Sequence, residues 1–264
     1  GSQEHLNEII KYNPGTYYFK LAMENVPGKF MIEKFPLEKY VRKYLILMRR
    51  LEKLKKLDFS EGTKLEIDTT DFDPEDRSFK KYLITKKLEN DEKYGEAYRN
   101  SAMNTFSFVK FKETCRLLYP RYFKDSVEKY SKKFGLETSL VYSLIMKESS
   151  FRQDIISSAS AYGLMQLLVP TAKMFDKKIS FQKLLIPETN INFGIRYLKY
   201  LKKKFKGNLI HMLAAYNGGE GNVRKWIRRF GKNFRIDQIP FYETRRYVKK
   251  VLSAMYMYSL LYDK

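Results

Sequence analysis

Val141 to Ala172 reads VYSLIMKESSFRQDIISSASAYGLMQLLVPTA, and the fold and chemistry of the chain turn on it. Its first residues predict a short amphipathic helix: Val141, Leu144 and Ile145 recur at helical spacing, and Glu148 continues the same stripe. A carboxylate at that place is disfavoured as an ion twice over. Burial raises its pKa, and the negative end of the helix dipole acts in the same direction. A carboxyl group kept protonated near neutral pH is what a general acid needs. Periodicity alone is also compatible with a helix that emerges into solvent at Glu148, where most glutamates lie.

The residues that follow decide between these readings. Ser157 lies in the next loop, then come Gly163-Leu164-Met165-Gln166 and Pro170-Thr171-Ala172. Further on stand Ala215-Tyr216-Asn217 and Ile239-Pro240-Phe241-Tyr242-Glu243-Thr244-Arg245 with Tyr247. Together with Glu148-Ser149-Ser150-Phe151, these ordered blocks resemble the soluble lytic transglycosylases, bacterial enzymes that cleave peptidoglycan glycan strands on a lysozyme-like fold. The resemblance implies a mainly α fold, with a lysozyme-like catalytic domain over residues 121–264. It makes Glu148 the catalytic acid and then base, leaving a 1,6-anhydro end on N-acetylmuramic acid. It further implies that Ser157 lies near the sugar acetamido group and that Met165 and Gln166 line the cleft. Gly163 then allows close approach of a sugar, and Tyr216 orients the acid or the acetamido group. Asn217 contributes an amide to the sugar, while Glu243 and Tyr247 close the site.

Three departures from the family pattern touch loops around the site: Arg152-Gln153-Asp154, Ser160 in place of a common glycine, and Gly218-Gly219 in place of a common Ala-Gly. They bear on substrate detail, not on the reaction class. Two other readings stay open: a goose-type-lysozyme-like hydrolase that delivers water, and a catalytically silent wall-binding or scaffold protein.

Composition bounds the rest. The chain has 264 residues, 44% hydrophobic and 16% aromatic, enough for a packed core. Lys and Arg number 51 against 30 Asp and Glu, a net charge of +21 that suits an anionic polymer or surface. No helix-turn-helix, RNP-like or zinc-finger pattern supports nucleic acid as that partner. Peptidoglycan glycan strands are the expected partner; other anionic envelope polymers or a membrane surface satisfy the charge equally well. Cys115 is the sole cysteine, and His5 and His211 lie far apart, so neither a disulfide, a metal nor a cofactor is implied. His211, beside Met212 and Leu213, reads as structural. No stretch reaches the ~20 apolar residues of a membrane span. Gly1-Ser2 reads as the scar of a removed tag, so a missing export signal says little; the resemblance implies the periplasm or cell envelope.

Before residue 121 the chain predicts a helical region of unclear role. Pro36 to Leu54 holds helical spacing, Thr63 to Thr69 alternates like an edge strand, and Phe79 to Leu88 and Glu92 to Leu118 look helical. Pro120 marks the seam. Beyond it Phe123, Val127, Tyr130 and Phe134 form a helix closed by Gly135, and Thr138 is expected to cap the next. Further helices are expected from Pro170, over Ile191 to Phe205, over Leu209 to Tyr216, over Val223 to Phe230 and from Glu243. Asn217 to Gly221 is expected to make a sharp turn between two of them. Oligomeric state is not legible.

Overall fold

The computed structural model describes residues 84–85, 88–102 and 116–263. The expected helix over Pro36 to Leu54, the strand over Thr63 to Thr69 and Cys115 lie outside the described residues. So does most of the expected Phe79 to Leu88 helix. Of the expected Glu92 to Leu118 helix, the described part is α1 (Tyr94–Ala102) and a helical turn at 116–118.

From residue 124 onward the described chain is mainly α. In order come α2 (Lys124–Phe134), α3 (Thr138–Glu148), β1 (Ala161–Tyr162), β2 (Leu167–Leu168), α4 (Val169–Lys173) and α5 (Phe181–Leu184). They are followed by α6 (Pro187–Lys204), α7 (Leu209–Gly218), α8 (Glu220–Phe230), a 3-10 turn (Ile236–Gln238) and α9 (Tyr242–Tyr262).

The helix that delivers Glu148 is the centre of the core. Every residue of α3 from Ser139 to Met146 is buried, so it is enclosed all round instead of amphipathic as its apolar stripe suggested. Neighbours α2 and α9 sheathe it, α9 most extensively. Its first residue, Thr138, and its last two, Lys147 and Glu148, come half out of the core. Its start also differs from expectation. Glu137 holds the cap position with no side-chain bond, and Thr138 is already the first helical residue.

Local signals account for the other ends. Gly135 takes a left-handed φ of 66° after α2, and its N–H bonds to the Ser131 carbonyl. A proline sits in the first turn of both α4 and α6. Asn208 caps α7 by accepting from the His211 N–H at 3.0 Å. The His211 ring is buried and stacked 4.4 Å from Phe234, and burial holds its pKa down, so it packs as a neutral ring. The turn expected over Asn217 to Gly221 shrinks to one residue. Gly219 (φ 83°) alone separates α7 from α8, and Gly218 is helical, pressed against Thr244.

The described residues before 121 share this core. Phe151, just past Glu148, meets Tyr98 of α1 at 5.5 Å and Tyr122 at 5.1 Å, both edge-on. The hydroxyls of Tyr258 and Tyr262 reach back to the carbonyls of Pro120 and Tyr119, each at 2.8 Å.

Candidate active site

Glu148 ends α3 as a half-buried carboxyl group. Desolvation pushes its pKa up to about 7; the nearby negative charge of Glu243 adds to this, and a hydrogen bond from Tyr247 opposes it. That bond runs from the Tyr247 hydroxyl to Oε1 at 2.5 Å, across 99 residues of sequence. Tyr247 and Glu243 lie four residues apart in α9, hence on one face. The first turns of α9 therefore bring both to the end of α3. In this site one oxygen of Glu148 is fixed by a phenol and the other is left for chemistry.

The second wall is the loop from Ser149 to Leu168. Ser150 and Phe151 both take left-handed φ, at 53° and 62°, which turns the chain abruptly away from α3. The Ser157 hydroxyl accepts from the Ala161 N–H at 3.0 Å, while the two backbones bond in the other direction, closing the loop. Ser160, standing where a glycine is common, adopts a left-handed φ of 55° within it. Tyr162 then pairs with Leu167 and Ala161 with Leu168, so Gly163 to Gln166 form the turn of a small antiparallel hairpin. Strands of two residues carry no readable alternation and were not expected.

That turn is held by a residue absent from the sequence reading. Asn190 of α6, with no exposed surface, accepts from the Met165 N–H and donates to the carbonyls of Tyr162 and Leu184, all at 2.7 Å. Its place explains Gly163. With φ at 70°, a Cβ there would sit 2.5 Å from both the Asn190 amide and the Leu184 carbonyl. The glycine makes room for Asn190, where an open face for a sugar was expected. The Met165 side chain likewise departs from expectation. It is fully buried and packed on Gly194, so it is core, and only its backbone faces the site. Gln166 folds back over its own turn, its amide donating to the carbonyls of Gly163 at 2.9 Å and Ile155 at 3.3 Å.

Tyr216 reaches the same turn from α7. Its hydroxyl donates to the Met165 carbonyl at 2.7 Å, not to Glu148. Burial first, and then the charge of Glu148, hold its pKa well above the usual tyrosine value. Asn217 beside it accepts from the Thr244 hydroxyl at 2.7 Å, which ties α7 to α9 and leaves the Asn217 NH₂ for other partners. The structure thus gathers Glu148, Tyr216, Glu243 and Tyr247 around one carboxyl group. Ser157, Gly163, Met165 and Gln166 shape the loop beside it. Thr244 was legible only as part of the late motif, with no role of its own, and Asn190 lay just ahead of the helix expected from Ile191. Among the described residues, no cluster of His, Cys, Asp and Glu could hold a metal ion, and no helix is long and apolar enough to cross a membrane.

Known proteins resemble this chain in sequence and fold. Residues 125–238 match the family model described as Transglycosylase SLT domain, and residues 238–264 match the Soluble lytic transglycosylase helical domain. The soluble lytic murein transglycosylase of Escherichia coli K12 is 36% identical over 152 residues, covering 53% of this chain and 24% of that protein. The membrane-bound lytic murein transglycosylase C of Sodalis glossinidius is 34% identical over 154 residues, covering 47% of this chain and 43% of its own. This chain thus aligns with less than half the length of either relative. The crystal structure of the 70 kDa soluble lytic transglycosylase of Escherichia coli superposes with a TM-score of 0.70 at 23% identity, over 97% of this chain and 42% of that one, a likeness of fold. Residues 125–264 belong to the soluble lytic transglycosylase family, on its lysozyme-like, mainly α fold.

Proposed function

We propose that the chain is a peptidoglycan lytic transglycosylase that breaks the β-1,4 bond between N-acetylmuramic acid and N-acetylglucosamine. The observation that carries this reading is Glu148: a carboxyl group raised to about 7 by burial and held by one phenol at 2.5 Å. Most glycosidases need two carboxyl groups, one for the proton and one for the positive carbon. A substrate that brings its own nucleophile removes the need for the second.

Glu148 first gives its proton to the bridging oxygen, and the bond from that oxygen to C1 of the muramic acid breaks. The 2-acetamido oxygen supports the cationic carbon. The 6-hydroxyl oxygen of the same sugar then bonds to C1, favoured by proximity. Its proton passes to Glu148, which ends as it began, and the product carries a 1,6-anhydro end. The hydroxyl of Tyr247 keeps the carboxyl plane fixed through both transfers. Burial keeps the acid protonated, and the nearby charge of Glu243 adds to it. Asn217, through its NH₂, and Ser157 provide polar groups for the acetamido and hydroxyl groups of the sugar. The backbone around Gly163 to Gln166 forms the floor beside them.

Glycan strands of the wall are the partner in this reading, and the periplasm or cell envelope the location. Residues 121–264 act as the catalytic domain, and the described residues before them pack onto it through Ala97 and Tyr98. Turnover of purified, cross-linked walls into soluble muropeptides by the wild-type protein tests the activity; walls left intact would contradict it.

A pH profile tests the pairing of Glu148 with Tyr247. The acid step needs the protonated form, so the rate falls as pH rises through about 7. The Tyr247 hydrogen bond favours the carboxylate, so Tyr247→Phe removes a lowering influence and raises the pKa further. The alkaline limb of kcat/KM is expected to move to higher pH in Tyr247→Phe. A limb that stays put or moves down contradicts the pairing.

A further inference from the structure

Ser150 and Phe151 place a strained turn directly behind Glu148, each in the left-handed conformation that a side chain with a Cβ resists. Such a turn persists only where its surroundings enforce it. Part of those surroundings lies outside residues 121–264, in α1.

α1 grips the turn at two points. Tyr94 and Tyr98 stand four residues apart and share one face of the helix. The Tyr98 ring lies edge-on to the buried ring of Phe151. The Tyr94 ring stacks at 4.6 Å on Tyr122, which itself borders Phe151. Tyr94 also meets Phe123 edge-on at 5.1 Å, and Phe123 holds another left-handed φ, 56°. The strained residues therefore gather where α1 rests.

Arg152 is the second point. A Cβ on Gly95 would lie 2.5 Å from the Arg152 Cγ, so the stem of Arg152 lies directly on the backbone of α1. From there its Nε donates to the carbonyl of Ser149, the residue after Glu148, at 3.2 Å. Glycine weakens a helix by itself, and this close approach is the reason for one at position 95. It also gives a role to Arg152, one of the departures from the family pattern.

The candidate acid is thus held from two sides. Tyr247 of α9 fixes its carboxyl group, and the turn that α1 keeps in place fixes its backbone. We propose that α1 is a positioning element of the catalytic site, acting on Glu148 through Phe151 and Arg152, so that residues 94–102 belong to the catalytic unit. This rests on the reading of Glu148 given above. A small misplacement of an acid costs rate more than affinity, because proton transfer demands hydrogen-bond distance to the leaving oxygen.

The test measures kcat and KM on purified peptide-free glycan strands, at a temperature where circular dichroism shows each variant folded. Tyr98→Ala is expected to lower kcat about tenfold and leave KM within about twofold, the scale of a slightly misplaced catalytic group. Tyr98→Phe keeps the ring and retains kcat. Arg99→Gly, at an exposed position of α1, weakens the helix while leaving both grips in place, and retains kcat as well. Gly95→Ala and Arg152→Ala each take the guanidinium off the Ser149 carbonyl. Each is expected to lower kcat about threefold, and the double variant falls no further, as two changes to one contact should. Should Tyr98→Ala fail to fold, that pair decides the matter. Wild-type kcat in folded Tyr98→Ala, an equal loss in Arg99→Gly, or losses that multiply in the double variant overturn the proposal and leave the reading of Glu148 intact. A wild-type protein that leaves the strands uncut overturns the reading of the site, and the positioning role with it.

Discussion

Glu148→Gln is expected to lower wall turnover by about 10²- to 10⁴-fold, the usual contribution of a general acid. Glutamine fits the same space and can still accept from Tyr247, but it has no proton to give and takes none back. The loss should fall on kcat, with glycan binding retained, because the group acts on the leaving oxygen and not on ground-state affinity. A silent wall-binding protein would behave alike with either residue. The same substitution has a second, independent signature in stability. The folded pKa of about 7 lies above the ordinary value of 4.5, so between these pH values the folded state keeps a proton that the unfolded state has lost. Wild-type stability contributed by this group therefore declines as pH rises through that window. The glutamine variant escapes the decline. Its melting temperature relative to wild type should rise from pH 4.5 to 7 and then level off; a flat difference across that range would mean that Glu148 is not desolvated.

Asn190→Ala is expected to be the most destabilising single change in the domain among polar residues, at roughly 3–5 kcal/mol. It strips partners from the Met165 N–H and from the Tyr162 and Leu184 carbonyls, in a place without water access. Each orphaned buried group costs about 1–3 kcal/mol, partly relieved by local shifts. The hairpin turn from Gly163 to Gln166 would lose its anchor to α6, and with it the carbonyl that receives Tyr216. Chemical denaturation read by circular dichroism measures the loss. A change below about 1 kcal/mol, the size expected of a surface substitution, would show that the turn holds itself.

What the sequence could and could not tell follows from the range of each interaction. Helices α2 to α4 and α6 to α9 were legible because apolar spacing, Pro170 and Gly135 act within a few residues; α5, four residues long, is too short to show a period and was not expected. The raised acid was legible as well, since Glu148 stands at the end of an apolar run. The distinction between a half-buried stripe and a helix enclosed all round was lost at α3, because Ser139 and Ser143 disguise a buried face. Ser143 satisfies its hydroxyl on the Ser139 carbonyl of its own helix. Asn190 was invisible for a different reason. Its bonds span 25 and 28 residues, and a lone asparagine in a helical pattern carries no mark of its partners. The same holds for Tyr216 and Tyr247. The order of the motifs put both near Glu148, but only the fold decides that Tyr247 takes the carboxyl oxygen and Tyr216 takes a backbone carbonyl.

The central claim is that one carboxyl group handles the proton while the sugar provides the attacking oxygen. Mass analysis of the muropeptides released by the wild-type protein tests it most directly. Ends lighter by one water than a reducing sugar, and resistant to borohydride, are the 1,6-anhydro products expected when the 6-hydroxyl attacks. Reducing ends in their place, converted to alcohols by borohydride, would mean that water attacks and that Glu148 works within a hydrolase.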